Sequence, residues 1–286
     1  MELSPPFGTL ALPAWAESVR RLGERAPSGR LGLHTASVLR RICLMGGAEP
    51  FDIEAWPGVN ARVYPSTNRC EKRVFCAPHL WDFAELQALE AAMLAAPAHR
   101  PFVFLDLGAN VGFYSLYLDA AARRAGREAR IVAAEPDAEN RRRLEQNQTA
   151  SGAAAIIVAP VALGAAPGRA RLTQAGRNRG EIRVDLNSAD GPDVEVITVQ
   201  GLAERARLPH IDAMKLDLEG SDAAVLAAFL ADAPQSLRPD LLIVETNGET
   251  GAAIAQLAAA HGYAQDRTTR TNAIFRRTAA TQTEAA

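Results

Sequence analysis

Cysteine is scarce in this sequence of 286 residues. The three cysteines, Cys43, Cys70 and Cys76, are an odd number, and neither their spacing nor any histidine pair forms a metal-binding pattern. The sequence therefore predicts no disulfide framework and no zinc site. We expect small buried thiols in a reducing compartment.

An excess of charge of one sign and a long apolar run are also absent. The formal net charge is −2 and the pI is about 6.2, so no basic field attracts nucleic acid or an anionic membrane. No run of about eighteen apolar residues is present, and the first residues have an early acid and prolines in place of a signal-type apolar core. We expect a cytoplasmic protein without a nucleic-acid or membrane partner, and the sequence gives no oligomeric state.

The chain has enough apolar residues for a real core. They make up 48% of the sequence, which allows one large α/β domain with an extension, or two small domains. The pattern divides into four segments: a helical arm over residues 1–50, a small β meander and a helix over 51–96, the main domain over 97–278, and a disordered tail over 279–286.

The first two segments carry structural patterns but little chemistry. Helical patterns run from Ala14 to Glu24 and from Leu31 to Met45. Three short antiparallel strands are predicted within residues 51–76, at FDIEAW, ARVYP and EKRVFC. Asp82, with Glu85 three residues later, matches a capping box that opens an Ala/Leu-rich helix.

The main segment opens with a strand, a glycine turn and a helix. Residues 102–118, FVFLDLGANVGFYSLYL, place an apolar run before Asp106, Gly108 and Gly112 and a helical apolar pattern after them. Gly108 permits a sharp turn with no Cβ between backbone and ligand, and Gly112 lets the helix pack close to the strand. We expect a ligand across this turn, although the spacing is not the G-x-G-x-x-G of a dinucleotide fold.

Further apolar strands follow, with helices between them. They are predicted within Ala129–Asp137, Ala154–Leu163, Ile211–Asp222 and Asp240–Asn247, with a closing strand pair within 262–277 and a hairpin insertion, RARLTQ and EIRVDL, between Gly164 and Pro192. The alternation predicts a mainly parallel sheet covered by helices on both faces. The closing pair is typical of the class I methyltransferase sheet, a Rossmann-like α/β fold of seven strands with an antiparallel last strand.

Acidic side chains follow several of these strands. They are Asp106, Glu135, Asp217, Glu219 and Glu245, with Asn247 beside the last. Because the carboxyl ends of parallel strands share one rim, we expect these side chains to line one cleft. An acid at the end of the second strand is placed to accept both hydroxyls of a ribose, which is the role we predict for Glu135.

Three motifs together resemble those of a known family. LDLGANVGFYS, AAEPD and MKLDLEGSD look like the DxGANxG, EP and KxDxEG motifs of FkbM-type methyltransferases, and the resemblance extends over roughly Cys70 to Arg277. It implies an S-adenosylmethionine-dependent O-methyltransferase acting by in-line methyl transfer on a hydroxyl of a small molecule, glycan or natural-product intermediate. Val199–Gln200 departs from the family's Leu-Asp; we interpret that Asp as a helix cap, so the departure puts only a local cap in doubt.

The resemblance also implies roles for single residues. The cofactor-binding set is Asp106, Gly108, Ala109, Asn110, Gly112, Glu135, Pro136 and Asp217, with Asp106 near the methionine ammonium, Glu135 on the ribose and Asp217 facing the methyl group. Asp217 and Glu219 are candidates for the general base that removes the hydroxyl proton, and His79, which is more readily structural, is a third. Glu219 is equally well interpreted as an acid that complements a helix dipole, and Lys215 as a salt-bridge partner.

Other interpretations remain open. Asp217, Glu245 and Asn247 would also suit an oxygen-rich divalent metal site, but the resemblance is to a different family and we predict no metal. An NAD-dependent oxidoreductase would need a hydride-transfer pair such as Tyr-x-x-x-Lys, which is missing. A non-catalytic Rossmann-like binding protein is disfavoured by the intact acids. An N-methyltransferase on nucleic acid or protein is disfavoured because no Asp/Asn-Pro-Pro-Tyr motif follows the fourth strand.

The acceptor is indicated only by arginines in the predicted hairpin insertion. They are Arg169, Arg171, Arg177, Arg179 and Arg183. A cluster of this kind predicts a polar or anionic acceptor, such as a sugar or a nucleotide-linked sugar.

Overall fold

The computed structural model describes residues 5–174, 182–185, 190–246 and 250–278. The predicted tail 279–286, Arg177, Arg179, Asn247 and the side chain of Arg183 lie outside this description. Within the described residues, no helix combines the length and the apolarity needed to cross a membrane.

The N-terminal third contains four helices and a β hairpin. Their bounds are α1 Ala14–Gly23, α2 Arg30–Cys43, β1 Phe51–Trp56, β2 Val59–Val63, α3 Arg69–Val74 and α4 Phe83–Ala95, with short 3-10 turns at Leu44–Gly46 and Pro78–Leu80. The two predicted N-terminal helices are therefore present, with bounds close to those that the pattern indicates. β1 pairs antiparallel with β2, from Phe51 opposite Val63 to Trp56 opposite Val59.

The predicted third strand of this region, EKRVFC, is wrong: its residues lie mainly in helix α3. Asn68 caps the helix, because its side-chain oxygen accepts from the backbone N–H groups of Cys70, at 3.0 Å, and Glu71, at 3.5 Å. Glu71 is fully buried and binds the guanidinium of Arg143 at 2.7 Å. The alternation of apolar residues favoured a strand, but the cap and the buried ion pair stabilise a helix.

The predicted capping box before α4 is also wrong. Asp82 does precede the helix, but its φ of 42° is left-handed, whereas a capping residue is usually extended. Its carboxylate accepts instead from the hydroxyl of Tyr114, at 3.0 Å. Glu85 is buried and accepts from Thr269 and from the Asn272 amide. Both acids therefore connect α4 to distant parts of the chain.

The main domain alternates strands and helices. Its elements are β3 Phe102–Leu107, α5 Phe113–Arg124, β4 Ala129–Ala134, α6 Ala138–Ser151, β5 Ile156–Ala159, β6 Ala162–Leu163, β7 Gly168–Gln174, β8 Ile182–Asp185, β9 Asp193–Ile197, α7 Val199–Arg205, β10 Ala213–Leu216, α8 Asp222–Asp232, β11 Leu241–Glu245, α9 Thr250–Ala260, β12 Tyr263–Thr268 and β13 Asn272–Arg277, with a 3-10 turn at Gln235–Leu237.

Seven strands form the central sheet, in the order β12-β13-β11-β10-β3-β4-β5. The pairs from β11 to β5 are parallel, and β13 runs antiparallel to both of its neighbours. Phe104 of β3 packs into the apolar core beneath α4 and α5, and Leu105 packs into the core beneath α7, α8 and α9. Helices thus cover both faces, and the predicted class I methyltransferase fold is confirmed.

The insertion after β5 forms a sheet of its own. The single strand predicted over Ala154–Leu163 is split at Pro160: β5 stays in the central sheet, and β6 joins a second sheet in the order β6-β9-β7-β8. Proline donates no ladder hydrogen bond, which favours a break there. The predicted hairpin is confirmed as β7 and β8. The departure at Val199–Gln200 put a helix cap in doubt, but Thr198 caps α7: its hydroxyl accepts from Gly201 N–H at 3.0 Å.

Candidate active site

A cleft lies at the rim where β3, β4 and β10 end. Its cavity volume is about 50 Å³, and it is open to solvent. Six of the predicted site residues line it: Gly108, Asn110, Glu135, Pro136, Asp217 and Glu219. The short strand β6 contributes Ala162 and Leu163 to its wall, so the insertion sheet closes one side.

The turn after β3 forms the floor of the cleft through its backbone. Gly108 has a φ of 80°, and a Cβ added there would lie 2.0 Å from the carbonyl oxygen of Asp217. Any side chain at this position would therefore push the β3 and β10 turns apart. The amides of Gly108 and Ala109 both donate to the Ala134 carbonyl, at 3.0 Å. Gly112 has a φ of 86°, and a Cβ there would meet Leu144 at 2.7 Å.

Glu135 stands at the end of β4 with both carboxylate oxygens engaged. Oε2 accepts from the Asn110 amide at 2.7 Å, and Oε1 accepts from the Asp137 amide at 2.9 Å. Burial raises the pKa of Glu135 to about 7, against the opposing effect of these two amides. Each oxygen keeps a further acceptor position. The arrangement can therefore take two more donors, such as the hydroxyls of a vicinal diol.

Asp106 is buried behind the turn. Its Oδ2 accepts from the hydroxyl and amide of Ser115, at 2.7 and 3.2 Å, while Oδ1 has no hydrogen-bond partner within the described residues. Burial raises the pKa of Asp106, and the nearby Lys215 opposes that rise. An unpaired buried carboxylate oxygen suits a cationic donor.

Lys215 and Asp217 form an ion pair beside the cleft. The Nζ atom of Lys215 lies 2.9 Å from Asp217 Oδ2 and 4.8 Å from the centre of the Tyr114 ring. Burial alone would lower the pKa of Lys215, but the carboxylates of Asp217 and Asp106 outweigh burial and hold that pKa above its usual value. Lys215 is therefore a charged partner, as interpreted from the sequence, while Asp217 keeps 36% of its side chain exposed.

Glu219 lies in the turn between β10 and α8. Its φ of 51° is left-handed, and its half-buried side chain lines the cleft. The amides before α8 are bound by Asp222, which accepts from Leu218 at 2.9 Å and from Gly220 at 3.2 Å. Asp222 therefore binds the backbone at the start of α8, a role that was one interpretation of Glu219. The position of Asp222 at the end of the sequence EGSD could have indicated this role.

The remaining predicted residues lie away from the cleft surface. The Nε2 atom of His79 donates to the Ala26 carbonyl at 2.8 Å, so the side chain connects the turn Pro78–Leu80 to the α1–α2 loop. Among the residues that the structure describes, no group of three His, Cys, Asp or Glu side chains is arranged to hold a metal ion.

Sequence reasoning missed a second set of polar residues beside Lys215. Burial, reinforced by Glu85, raises the pKa of Asp82 to about 6. The hydroxyl of Tyr114 donates to Asp82, and the amide of Asn68 donates to the Asn110 side chain at 2.7 Å. Asp82 and Asn68 come from the N-terminal extension, and the sequence patterns predicted no contact between them and residues of the main domain.

Comparison with known proteins gives one family match. A model described as the methyltransferase FkbM domain matches residues 106–264, more than half of the chain. Among curated proteins, no sequence matches.

Solved structures with a similar fold include several methyltransferases. A SAM-dependent methyltransferase from Agrobacterium tumefaciens is 13% identical, with 81% of this chain and 71% of that chain covered and a TM-score of 0.46. The METTL16 MTase domain is 12% identical, with 92% and 80% covered and a TM-score of 0.48. The precorrin-6y C5,15-methyltransferase from Geobacter metallireducens is 11% identical, with 68% and 87% covered and a TM-score of 0.40. At these values, the likeness carries no information about a substrate.

Proposed function

The chain belongs to the methyltransferase FkbM domain family, and from this premise we propose that it is an S-adenosylmethionine-dependent O-methyltransferase. Its acceptor is a hydroxyl of a small molecule, glycan or natural-product intermediate. The observation that carries the proposal is the closed Gly108 turn, with Glu135 on one side and Asp217 on the other.

The residues of the cleft fit the proposed cofactor. The free acceptor positions of Glu135 suit the two ribose hydroxyls, and the unpaired Oδ1 of Asp106 suits the ammonium of the methionine part. Gly108, Ala109, Asn110 and Gly112 shape the turn between these two points, and Pro136 borders the ribose side. No dinucleotide pattern competes for the turn, so NAD is the weaker candidate.

The transfer step requires an electrophilic methyl group and a route for one proton. When bound, S-adenosylmethionine supplies the methyl on a sulfonium centre, and transfer to the acceptor oxygen leaves a neutral thioether and the hydroxyl proton. We assign Asp217 to accept that proton, because it is a partly exposed carboxylate of the cleft and Lys215 holds it in place. A positioned base of this kind contributes roughly 10²–10⁴-fold to the rate. Glu219 is the second candidate, and His79 is the least favoured by position.

The same proposal assigns a role to each segment of the chain. Residues 97–278 bind the cofactor, and residues 1–50 and 51–96 cover the acceptor side. The scarce, unpaired cysteines fit a cytoplasmic location.

Calorimetric titration with S-adenosylmethionine, S-adenosylhomocysteine and NAD tests the cofactor, with and without magnesium. We expect micromolar binding of both adenosyl compounds, no binding of NAD, and no magnesium effect. The Asp217→Asn variant should bind S-adenosylhomocysteine like the wild type but lose roughly 100-fold or more in methyl-transfer rate. Asp232→Asn, at an exposed site on α8, is the matched control and should change neither property. Binding of NAD alone would contradict the proposal.

A further inference from the structure

A second cavity, which we name the arginine cavity, lies between the N-terminal helices and the main domain. Its cavity volume is about 290 Å³, and it is bordered by α2, by the start of α4, and by the turn between β12 and β13. Its polar lining includes Arg40, Arg73, Arg270, Asp82 and Glu85, and its apolar lining includes Leu33, Leu80 and Trp81.

The arginine cavity is at the same rim of the sheet as the cofactor cleft. Its wall includes the turn Thr269–Thr271, and the next residue, Asn272, pairs with Glu245 at the carboxyl end of β11. A chain of contacts joins the two cavities. Asp82, in the wall of the arginine cavity, accepts from Tyr114, whose ring packs under Lys215, which in turn binds Asp217 in the cofactor cleft.

The three arginines of the cavity lack direct ion pairs within the described residues. None of Arg40, Arg73 and Arg270 forms an ion pair with a carboxylate in the part of the chain that the structure describes. Arg73 is half-buried. Burial lowers the pKa of Arg73 and the charge of Arg270 lowers it further, whereas the charge of Asp82 raises it. Burial and the charges of Arg41 and Arg73 lower the pKa of Arg40, whereas Cys76 raises it. Arg40 and Arg73 are partly buried and Arg270 is exposed. Neighbouring like charges without direct ion pairs repel one another, so an anion bound among them would be stabilised.

The carboxylates in the cavity wall make no ion pair with these arginines in the part of the chain that the structure describes, and other donors engage them. The hydroxyl of Tyr114 donates to Asp82, and Thr269 and Asn272 donate to Glu85. These donors come from the main domain, so the acids form the inner wall toward Lys215. The arginines come from α2, α3 and the β12–β13 turn.

We propose that the arginine cavity is the acceptor site and that it takes a hydroxylated compound bearing a phosphate or carboxylate group, bound by Arg73 with Arg40 and Arg270. The guanidinium fork binds either group in two parallel hydrogen bonds. Leu33, Leu80 and Trp81 provide apolar surface for the carbon skeleton. The proposal requires the hydroxyl to reach Asp217 past Asp82, Tyr114 and Lys215, the residues that join the two cavities. This inference rests on the proposed function for the identity of the reaction. It assigns anion binding to the arginines of this cavity and not to the arginines of the insertion.

The test uses three hexose probes that differ only in their charged group: glucose 6-phosphate, glucuronate and glucose. Each is titrated calorimetrically into the full chain in the presence of S-adenosylhomocysteine. We expect at least one anionic probe to bind and glucose to bind at least about tenfold more weakly. Comparison of phosphate with carboxylate identifies the preferred group. Arg73→Gln should weaken binding of the anionic probe at least about tenfold. Lys72→Gln removes an exposed neighbouring charge outside the cavity lining, and it should change the affinity for the probe less than about twofold.

Three outcomes would overturn the inference: equal binding of glucose, equal effects of Arg73→Gln and Lys72→Gln, or no binding of either anionic probe to the wild type. Titration of S-adenosylhomocysteine alone separates this failure from failure of the proposed function, because Arg73 lies outside the cofactor cleft and its substitution should leave that affinity unchanged. If Arg73→Gln does not fold, Arg40→Gln is measured in its place and should weaken the same probe.

Discussion

The cofactor cleft and the arginine cavity occupy one rim, but they are built in different ways. The cleft comes from three short segments that each directly follow a strand, at Gly108–Gly112, Glu135–Pro136 and Asp217–Glu219. The arginine cavity combines α2, α3, the start of α4 and the β12–β13 turn, which are far apart in the sequence. The family match over residues 106–264 contains the central-sheet part of the cleft and none of Arg40, Arg73, Asp82 or Arg270. The matched segment therefore contains the residues to which we assign cofactor binding, whereas the residues to which we assign acceptor binding lie outside it.

The largest effect is expected where the cleft depends on backbone alone. Gly108→Ala places a Cβ 2.0 Å from the Asp217 carbonyl oxygen, so the β3 and β10 turns must separate. We expect a loss of at least about 100-fold in S-adenosylhomocysteine affinity by calorimetry, or about 2.7 kcal/mol. Binding of the anionic hexose probe should persist, because the arginine cavity uses other segments.

The control for this prediction is Gly126→Ala. Gly126 also has a positive φ, of 62°, but a Cβ there would meet no atom within 4 Å. It therefore carries the left-handed strain, about 1–2 kcal/mol of unfolding free energy, without the clash. If both alanine variants bound S-adenosylhomocysteine equally well, the close approach of the two turns would be irrelevant to the cofactor.

An intermediate effect is expected from the charge of Glu135. Its pKa is about 7, and we expect the ionised carboxylate to accept the ribose hydroxyls. Below pH 7 the free protein binds a proton that must leave on cofactor binding, so S-adenosylhomocysteine affinity should fall about tenfold from pH 8 to pH 6. Glu135→Gln should bind about 10- to 100-fold more weakly at pH 8, with no such pH dependence. Asp137 and Arg141 also act on this carboxyl and are unchanged in the variant. An equally steep pH dependence in Glu135→Gln would assign the proton to another group.

The smallest effect is expected in the insertion sheet. Arg169 forms an exposed ion pair with Asp193, and Arg171 donates to the Gly191 carbonyl at 3.0 Å, so both arginines are engaged within their own hairpin. Exposed pairs of this kind contribute little. Arg169→Ala should leave the anionic probe affinity within about twofold of the wild type. A loss as large as that of Arg73→Gln would return the acceptor to the insertion.

The same contrast explains what could be predicted from the sequence. The parallel sheet and its acidic rim follow from apolar runs, glycines and acids that lie next to each other in the chain, and these features act locally. The helix α3 and the role of Asp82 depend on partners more than thirty residues away, such as Arg143 for Glu71 and Tyr114 for Asp82. Local patterns contain no record of such partners. The cleft residues could therefore be identified from the sequence, whereas the residues of the proposed acceptor site could not.

The cap of α3 has a consequence for how the two sites communicate. Asn68 caps the helix that carries Arg73, and its amide also binds the side chain of Asn110 in the cofactor turn. A shift of that turn on cofactor binding would therefore reach the start of α3 through this hydrogen bond. Coupling of this kind is reciprocal in free energy, so the factor by which the cofactor changes acceptor affinity must equal the factor by which the acceptor changes cofactor affinity. Through this hydrogen bond, each of the two proposed ligands would change the affinity of the protein for the other by the same factor.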